Sequence, residues 1–254
     1  KNNIKNNIKN NYNINSKIID DLTIIILAAG KGSRLNIKKN KFLFNYKKNE
    51  NILENYEKKL NQFKYFIFVV HISDKEIVRE IKKKFKKQHI NFIYQYKRDG
   101  MASALYLCKN KISTSNFMLM WCDQPYIKKN SIIALSKLHF NKKSVFSLIT
   151  CIRHNSYISI IRKKKAISKV IISSEINAKI SGETDSGLFI FHTNKIYKLL
   201  SKYIDNKIII GKKTKEKNLL PLFPIISKKH GSLTLRVENS KETLGINYKN
   251  DAVN

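Results

Sequence analysis

The apolar run Ile24-Ile25-Ile26-Leu27, leading straight into Ala28-Ala29-Gly30-Lys31-Gly32-Ser33-Arg34-Leu35, constrains this chain more than any other stretch. Bulky aliphatic residues without polar alternation suit a strand covered on both faces, as in the middle of a parallel sheet. The residues that follow are small, so a polyanion can approach the backbone N–H groups closely. Arg34, and Lys41 seven positions beyond it, place cations beside that loop. Together these features predict a phosphate cradle at the carboxyl end of a central strand.

Two familiar phosphate loops are excluded. A Walker A loop needs Gly-Lys followed at once by Ser or Thr, and Gly32 stands between Lys31 and Ser33. A dinucleotide fingerprint needs a third glycine where this chain has Leu35. Gly-x-Gly alone also fits a plain strand turn, so its meaning rests on what surrounds it.

From Thr23 onward strands and helices alternate. Apolar runs at 23–28, 65–70, 90–94, 116–121 and 145–152 have strand length and β-branched or aromatic content. The stretches 74–87 and 129–140 have helical spacing, with Ser73 suited to cap the first and Asn130 or Ser131 the second. A rim hairpin is expected over 157–172, turning at Lys163-Lys164-Lys165. Strand 187–192, helix 194–204, a Lys-rich loop to about 217, helix 218–229 and strand 232–238 complete the pattern. Such alternation predicts an α/β domain with a mostly parallel, twisted, Rossmann-like sheet and helices on both faces. Residues 1–16, rich in Lys and Asn, hold too little apolar material to offset ordering entropy and are expected to form a disordered lead or linker. The folded domain is then 17–254. The opening Lys, and a helix expected only to begin at the last residues, suggest a piece of a longer chain.

The formal charge of +32 would ordinarily point to nucleic acid or an anionic membrane, but 44 of the 50 cations are Lys. Specific nucleic-acid readers lean on Arg. Lys, Asn and Ile are enriched together, so biased coding explains the excess and no specific nucleic-acid face is expected. The field still favours anionic nucleotides. Cys108, Cys122 and Cys151 lack metal-ligand or disulfide-framework spacing, which fits the reducing cytoplasm. No apolar run approaches the roughly 18 to 20 residues that span a bilayer.

Leu-Ala-Ala-Gly-x-Gly-x-Arg-Leu with a Lys seven residues after the Arg resembles the signature of the sugar-1-phosphate nucleotidyltransferases, with Asn40 where a Pro usually precedes the Lys. Four further stretches carry the resemblance. Trp121-Cys122-Asp123-Gln124-Pro125 ends a buried strand on a carboxylate, 89 positions after Arg34; a lone Asp there also suits a turn or helix cap. Gln95-Tyr96-Lys97-Arg98-Asp99-Gly100-Met101-Ala102 is similar to the segment that reads uracil in N-acetylglucosamine-1-phosphate uridylyltransferases, with Arg98 for a second Gln and Met101 for Thr. Its Gly turn before a helix N-terminus suits a phosphate or a base edge. Gly182-Glu183-Thr184-Asp185-Ser186-Gly187 is similar to a sugar-contacting motif with Asp185 in place of Asn, and Leu244-Gly245-Ile246-Asn247 to a motif whose Asn completes a metal shell. Asn247 alone would equally suit a helix cap, and Asn250-Asp251-Ala252 suits the start of a helix.

The resemblance implies transfer of a nucleoside monophosphate from an NTP, UTP or CTP foremost, to a phosphorylated small-molecule acceptor. Asp123 and Asn247 would hold Mg²⁺. Arg34 and the loop amides would meet the β- and γ-phosphates, and Lys41, expected on an exposed loop, the α-phosphate or the acceptor phosphate. Leu27, Ala28, Ala29, Gly30, Gly32, Gln95, Gly100 and Met101 would bind the nucleotide, and Glu183, Asp185 and Gly187 the acceptor. Ile158 stands near a family glycine, and Ile171 or Ile172 where a Glu binds an acetamido group. An N-acetylhexosamine is thus disfavoured, and Asp185 points to another sugar phosphate or to an acceptor with a cationic group. Gly100-Met101-Ala102-Ser103-Ala104 with Asp123-Gln124-Pro125 also resembles the molybdenum cofactor cytidylyl- and guanylyltransferases. A nucleotide-binding protein without turnover is the remaining alternative. His71 and His192 are expected to be structural.

Overall fold

The computed structural model describes residues 14–30, 32–37 and 39–252. Lys31 and most of the expected lead, 1–13, lie outside them. The remaining part of that lead is folded: Ile14 is buried, its N–H donating to Gln62 Oε1 at 3.3 Å, and Asn15 caps a helix. In chain order the elements are α1 (Ser16–Asp20), β1 (Leu22–Leu27), β2 (Asn45–Lys47), β3 (Glu50–Asn51), α2 (Ile52–Leu60), β4 (Tyr65–His71), α3 (Lys75–Lys84), β5 (His89–Gln95), α4 (Met101–Leu107) and β6 (Asn116–Trp121). There follow α5 (Lys129–Asn141), β7 (Phe146–Ser156), β8 (Ile158–Lys163), β9 (Ala166–Ile172), α6 (Ser173–Ile176), β10 (Ile180–His192), α7 (Thr193–Tyr203), α8 (Phe223–His230) and β11 (Leu233–Arg236).

Seven strands form one sheet in the order β11-β7-β10-β6-β1-β4-β5. All pairings are parallel except those of β10, which runs against β6 and β7. The sheet is therefore the mostly parallel α/β sheet expected. Register explains its double burial: Ile24 lies beside Phe66 and Met118, and Ile25 beside Ile67 and Leu119. The first row packs with Leu53, Tyr56, Ile77, Ile81 and Ile132 of α2, α3 and α5. The second packs with Leu105, Tyr197, Leu200, Phe223 and Ile226 of α4, α7 and α8. Each fully buried side chain of this size contributes about 1.5–3 kcal/mol.

Several local expectations fail for identifiable reasons. Ser73 does not cap α3, whose N-cap is Asp74; its hydroxyl is engaged with His71 Nδ1 at 2.7 Å. Neither Asn130 nor Ser131 caps α5, whose N-cap is Lys128, and the Ser131 hydroxyl donates to Glu242 at 2.6 Å. A continuous helix over 218–229 is prevented by Pro221 and Pro224, tolerated only in a first turn. The chain makes a 3₁₀ turn at Leu220–Leu222 and restarts as α8. Asn250 sits in a 3₁₀ turn, Lys249–Asp251. The rim hairpin forms from β8 and β9 as expected. Strand β10 starts at Ile180, well before residue 187, because its polar amino half pairs with the extended end of β7.

Candidate active site

The carboxyl ends of β1, β6 and β7 meet the amino half of β10 around a cleft of about 1130 Å³. Leu27, Ala29, Gly30, Gly32, Arg34, Lys41, Gln95, Gly100, Met101, Asp123, Asp185 and Asn247 all line it. The volume suits a nucleotide together with a second small molecule.

At its centre the Lys41 ammonium donates to Asp123 Oδ2 at 2.7 Å and to Asn247 Oδ1 at 3.3 Å. Residues 82 and 206 positions from Lys41 in sequence thus share its one cation. Lys41 is only 8% exposed, so the expectation of an exposed loop lysine is wrong. It sits in a 3₁₀ turn capped by Asn40, whose side chain accepts from the Phe42 N–H at 2.9 Å and donates to Ala28 O at 2.9 Å and Asp74 Oδ2 at 3.0 Å. The residue that departs from the family Pro therefore ties the lysine turn to the loop after β1. Gly32, at φ +60°, adopts a left-handed conformation that side chains rarely take, and an added Cβ would lie 3.1 Å from Lys41 Cβ.

Asp123 is fixed by backbone bonds on both sides. Cys122 N–H donates to Leu27 O at 3.3 Å, and Ile246 N–H donates to Asp123 O at 2.8 Å, bringing the Gly245-Ile246-Asn247 loop alongside. Asp251 accepts from the N–H groups of Asn247 and Tyr248, each at 2.7 Å. Tyr56, which no motif identified, completes the arrangement. Its buried hydroxyl donates to Trp121 O at 2.5 Å and accepts from Gln124 N–H at 3.3 Å, bracketing Cys122-Asp123. Its ring meets Phe42, next to Lys41, edge-on at 5.2 Å. Burial, aided by the Asp123 charge, holds the Tyr56 hydroxyl well above its ordinary pKa and keeps its proton in place. The capping box of Asn51 and Glu54, at hydrogen-bond lengths of 2.9 and 3.1 Å, was the available sequence signal for α2.

Three expected site residues stand outside the cleft lining. Ala28 is fully buried, its N–H donating to Val69 O and its carbonyl accepting from Asn40. Glu183 is held by Arg162 through a double contact at 2.7 and 2.8 Å, which keeps its carboxyl below the usual range against the cost of burial. Gly187 forms the bulge behind the lining: at φ +68°, an added Cβ would meet Trp121 Cε3 at 2.8 Å. The amino end of α4 is not an open anion site either, because Lys217 O accepts from Ala102 N–H at 3.0 Å. Gln95 is buried and donates to Asp99 at 3.0 Å, while Arg98 reaches across to Ala29 O at 2.6 Å.

Among the described residues, the cysteine that lines the cleft is a poor nucleophile. Burial pushes the Cys122 thiol up to about 12. His71 binds Ser73, and His139 lies in the core between Ser147 and Asn116. Among the described residues no helix is long and apolar enough to cross a membrane.

The chain is 29% identical over 236 residues to the bifunctional protein GlmU of Buchnera aphidicola subsp. Schizaphis graminum, covering 90% of this chain and 49% of that protein. Against the GlmU of Ruthia magnifica it is 30% identical over 183 residues, 70% of this chain and 39% of that one. It thus spans half or less of these relatives' length. A crystal structure from Bacillus anthracis assigned as a glucose-1-phosphate thymidylyltransferase superposes with TM-score 0.70 at 16% identity, covering 85% of this chain and 87% of that one. A UDP-glucose pyrophosphorylase complexed with UDP-glucose gives TM-score 0.67 at 13% identity, covering 85% and 90%. Both share the fold. The model of the MobA-like NTP transferase domain matches residues 24–157, just over half of the sequence and the part that carries the glycine loop, Lys41 and Asp123, and the chain belongs to that nucleotidyltransferase family.

Proposed function

We propose that the protein transfers a nucleoside monophosphate from an NTP to a phosphate monoester of the sugar-1-phosphate kind, releasing pyrophosphate with Mg²⁺ as cofactor. The observation that carries this reading is the Lys41 ammonium held between Asp123 and Asn247 beside the glycine loop. A lysine there marks a place built for positive charge. Asp123 Oδ1 is buried and unpartnered, and with the Asn247 oxygen it offers the hard oxygen donors Mg²⁺ prefers. Among the described residues no group of three or more His, Cys, Asp or Glu could hold a metal, which suits an ion that takes its other ligands from phosphate and water. Bound there, Mg²⁺ would neutralise charge developing on the phosphates.

The remaining work falls to the chain itself. Gly30 has no atom within 4 Å of where a Cβ would stand, so the loop admits a triphosphate close to its backbone. Arg34, exposed and lining the cleft, meets the β- and γ-phosphates. Lys41 exchanges its carboxylate for an α-phosphate or acceptor oxygen when substrate enters. The acceptor oxygen forms a bond to the α-phosphorus as the bond from that phosphorus to the β-phosphate oxygen breaks, and the pair of electrons leaves with pyrophosphate. Positioning and charge neutralisation supply the rate. Ile158 and Ile172, both buried and apolar, give an acetamido group no polar partner, so N-acetylated acceptors rank low.

The test is pyrophosphate release with Mg²⁺ across a panel of NTPs, UTP and CTP first, and sugar phosphates. Release that needs both substrates, and that falls by about two orders of magnitude in Asp123→Asn, supports the reading. No release with any pair, or a full rate in Asp123→Asn, overturns it.

A further inference from the structure

Asp185 lines the cleft with only 4% of its surface exposed. One carboxyl oxygen accepts from Gly187 N–H at 2.8 Å, and the other has no partner. No ion pair joins it to a cation among the described residues. Arg153, whose charge acts on it, donates to Thr243 O at 2.7 Å and to Asn155 O at 3.4 Å, while Asp123 adds negative charge. A carboxylate so placed is costly unless a ligand brings the missing partner. Burial, the largest cause, accordingly pushes this carboxyl up to about 7.

The neighbours define what that partner is. The Gly187 whose N–H binds Asp185 lies against Trp121 and Gln124, since an added Cβ there would meet Trp121 Cε3 at 2.8 Å and Gln124 Cγ at 3.0 Å. Gly245 links the same Gln124 to Asn247 and the Asp123 carbonyl, so this corner adjoins the proposed transfer centre. Trp121 lies edge-on to Tyr157 with centroids 6.4 Å apart, and both line the cleft. A neutral hydroxyl would satisfy the free oxygen but leave its charge uncompensated. An ammonium does both, through a charge-assisted hydrogen bond. Resting on the nucleotidyl-transfer reading, we propose that the acceptor is a phosphate monoester bearing a protonated amine, received by Asp185.

The test uses matched pairs differing only in that group: glucosamine 1-phosphate against glucose 1-phosphate, and aminoethyl phosphate against hydroxyethyl phosphate. Binding to the full chain is followed by the fluorescence of Trp121, the one tryptophan in the sequence, and turnover by pyrophosphate release. In at least one pair the amine is expected to bind about tenfold tighter. Asp185→Asn, which keeps the shape and a bond to Gly187, should bring that ratio within about threefold of unity. Equal binding in both pairs, or a ratio unmoved in Asp185→Asn, overturns the amine site. Asp185-dependent amine binding without pyrophosphate release from any NTP would keep the amine site and remove the transfer reading. Turnover indifferent to the amine would do the reverse.

Discussion

Tyr56→Phe isolates the hydroxyl that brackets Asp123. The ring and its edge-on contact with Phe42 at 5.2 Å are retained, so no cavity forms. What is lost is a short bond to Trp121 O, 2.5 Å, and a longer one from Gln124 N–H, 3.3 Å. Each buried group left unpaired costs about 1–3 kcal/mol, the longer contact at the low end, giving about 2–4 kcal/mol in all. For a chain of this size that lowers Tm by roughly 5–15 °C. If the hydroxyl also sets the Asp123 carboxylate, kcat should fall about 10- to 100-fold, equivalent to about 1.4–2.7 kcal/mol of barrier. KM for the NTP should change less than about threefold, and half-maximal rate should need more Mg²⁺. Thermal melts and Mg²⁺ titrations of pyrophosphate release check each part. A lowered Tm with an unchanged kcat and Mg²⁺ requirement would refute the positioning role, and an unchanged Tm would refute the hydrogen bonds themselves.

Other outcomes follow from the same geometry. Lys41→Ala should damage stability as well as rate, because it leaves Asp123 without its 2.7 Å partner, and Asp123→Asn in the same chain should restore part of the lost Tm but none of the rate. Gly187→Ala should lower Tm by several degrees, since φ +68° and the 2.8 Å approach to Trp121 both oppose a side chain; an unchanged melt would deny the bulge its role. Because the folded carboxyl of Asp185 titrates near 7 against 3.8 when unfolded, its contribution to stability is present below about pH 4 and lost as pH rises through 7. Asp185→Asn should therefore gain Tm over wild type progressively between pH 4 and 7, and a pH-independent difference would count against the buried carboxylate.

The sheet was legible because its central strands are continuous apolar runs, which only double burial explains, and the glycine loop because small residues next to cations have few other uses. Helix α2 was not, although its capping box stood in the sequence, since its outward Glu and Lys residues dilute the apolar stripe of Ile52, Leu53, Tyr56 and Leu60. With it went Tyr56, whose role depends on contacts 65 and 68 positions away that no local spacing reveals. Asp123 and Asn247 were found as motifs, but the lysine between them was assigned to the surface, because charge alone says nothing about burial. Glu183 shares a face of β10 with Asp185, two positions on, yet its carboxylate is taken by Arg162, a partner 21 positions away that the motif does not reveal.

Phosphorus NMR of the protein with Mg²⁺, an NTP and an acceptor phosphate tests the central claim most directly, because it follows the α-phosphorus itself. Nucleotidyl transfer requires the acceptor monoester signal to disappear as a diphosphate diester and pyrophosphate appear in equal amounts, and Asp123→Asn to suppress all three changes together. Formation of orthophosphate or free nucleoside monophosphate with the acceptor signal intact, or no change in any spectrum across the NTP and acceptor panel, would contradict it.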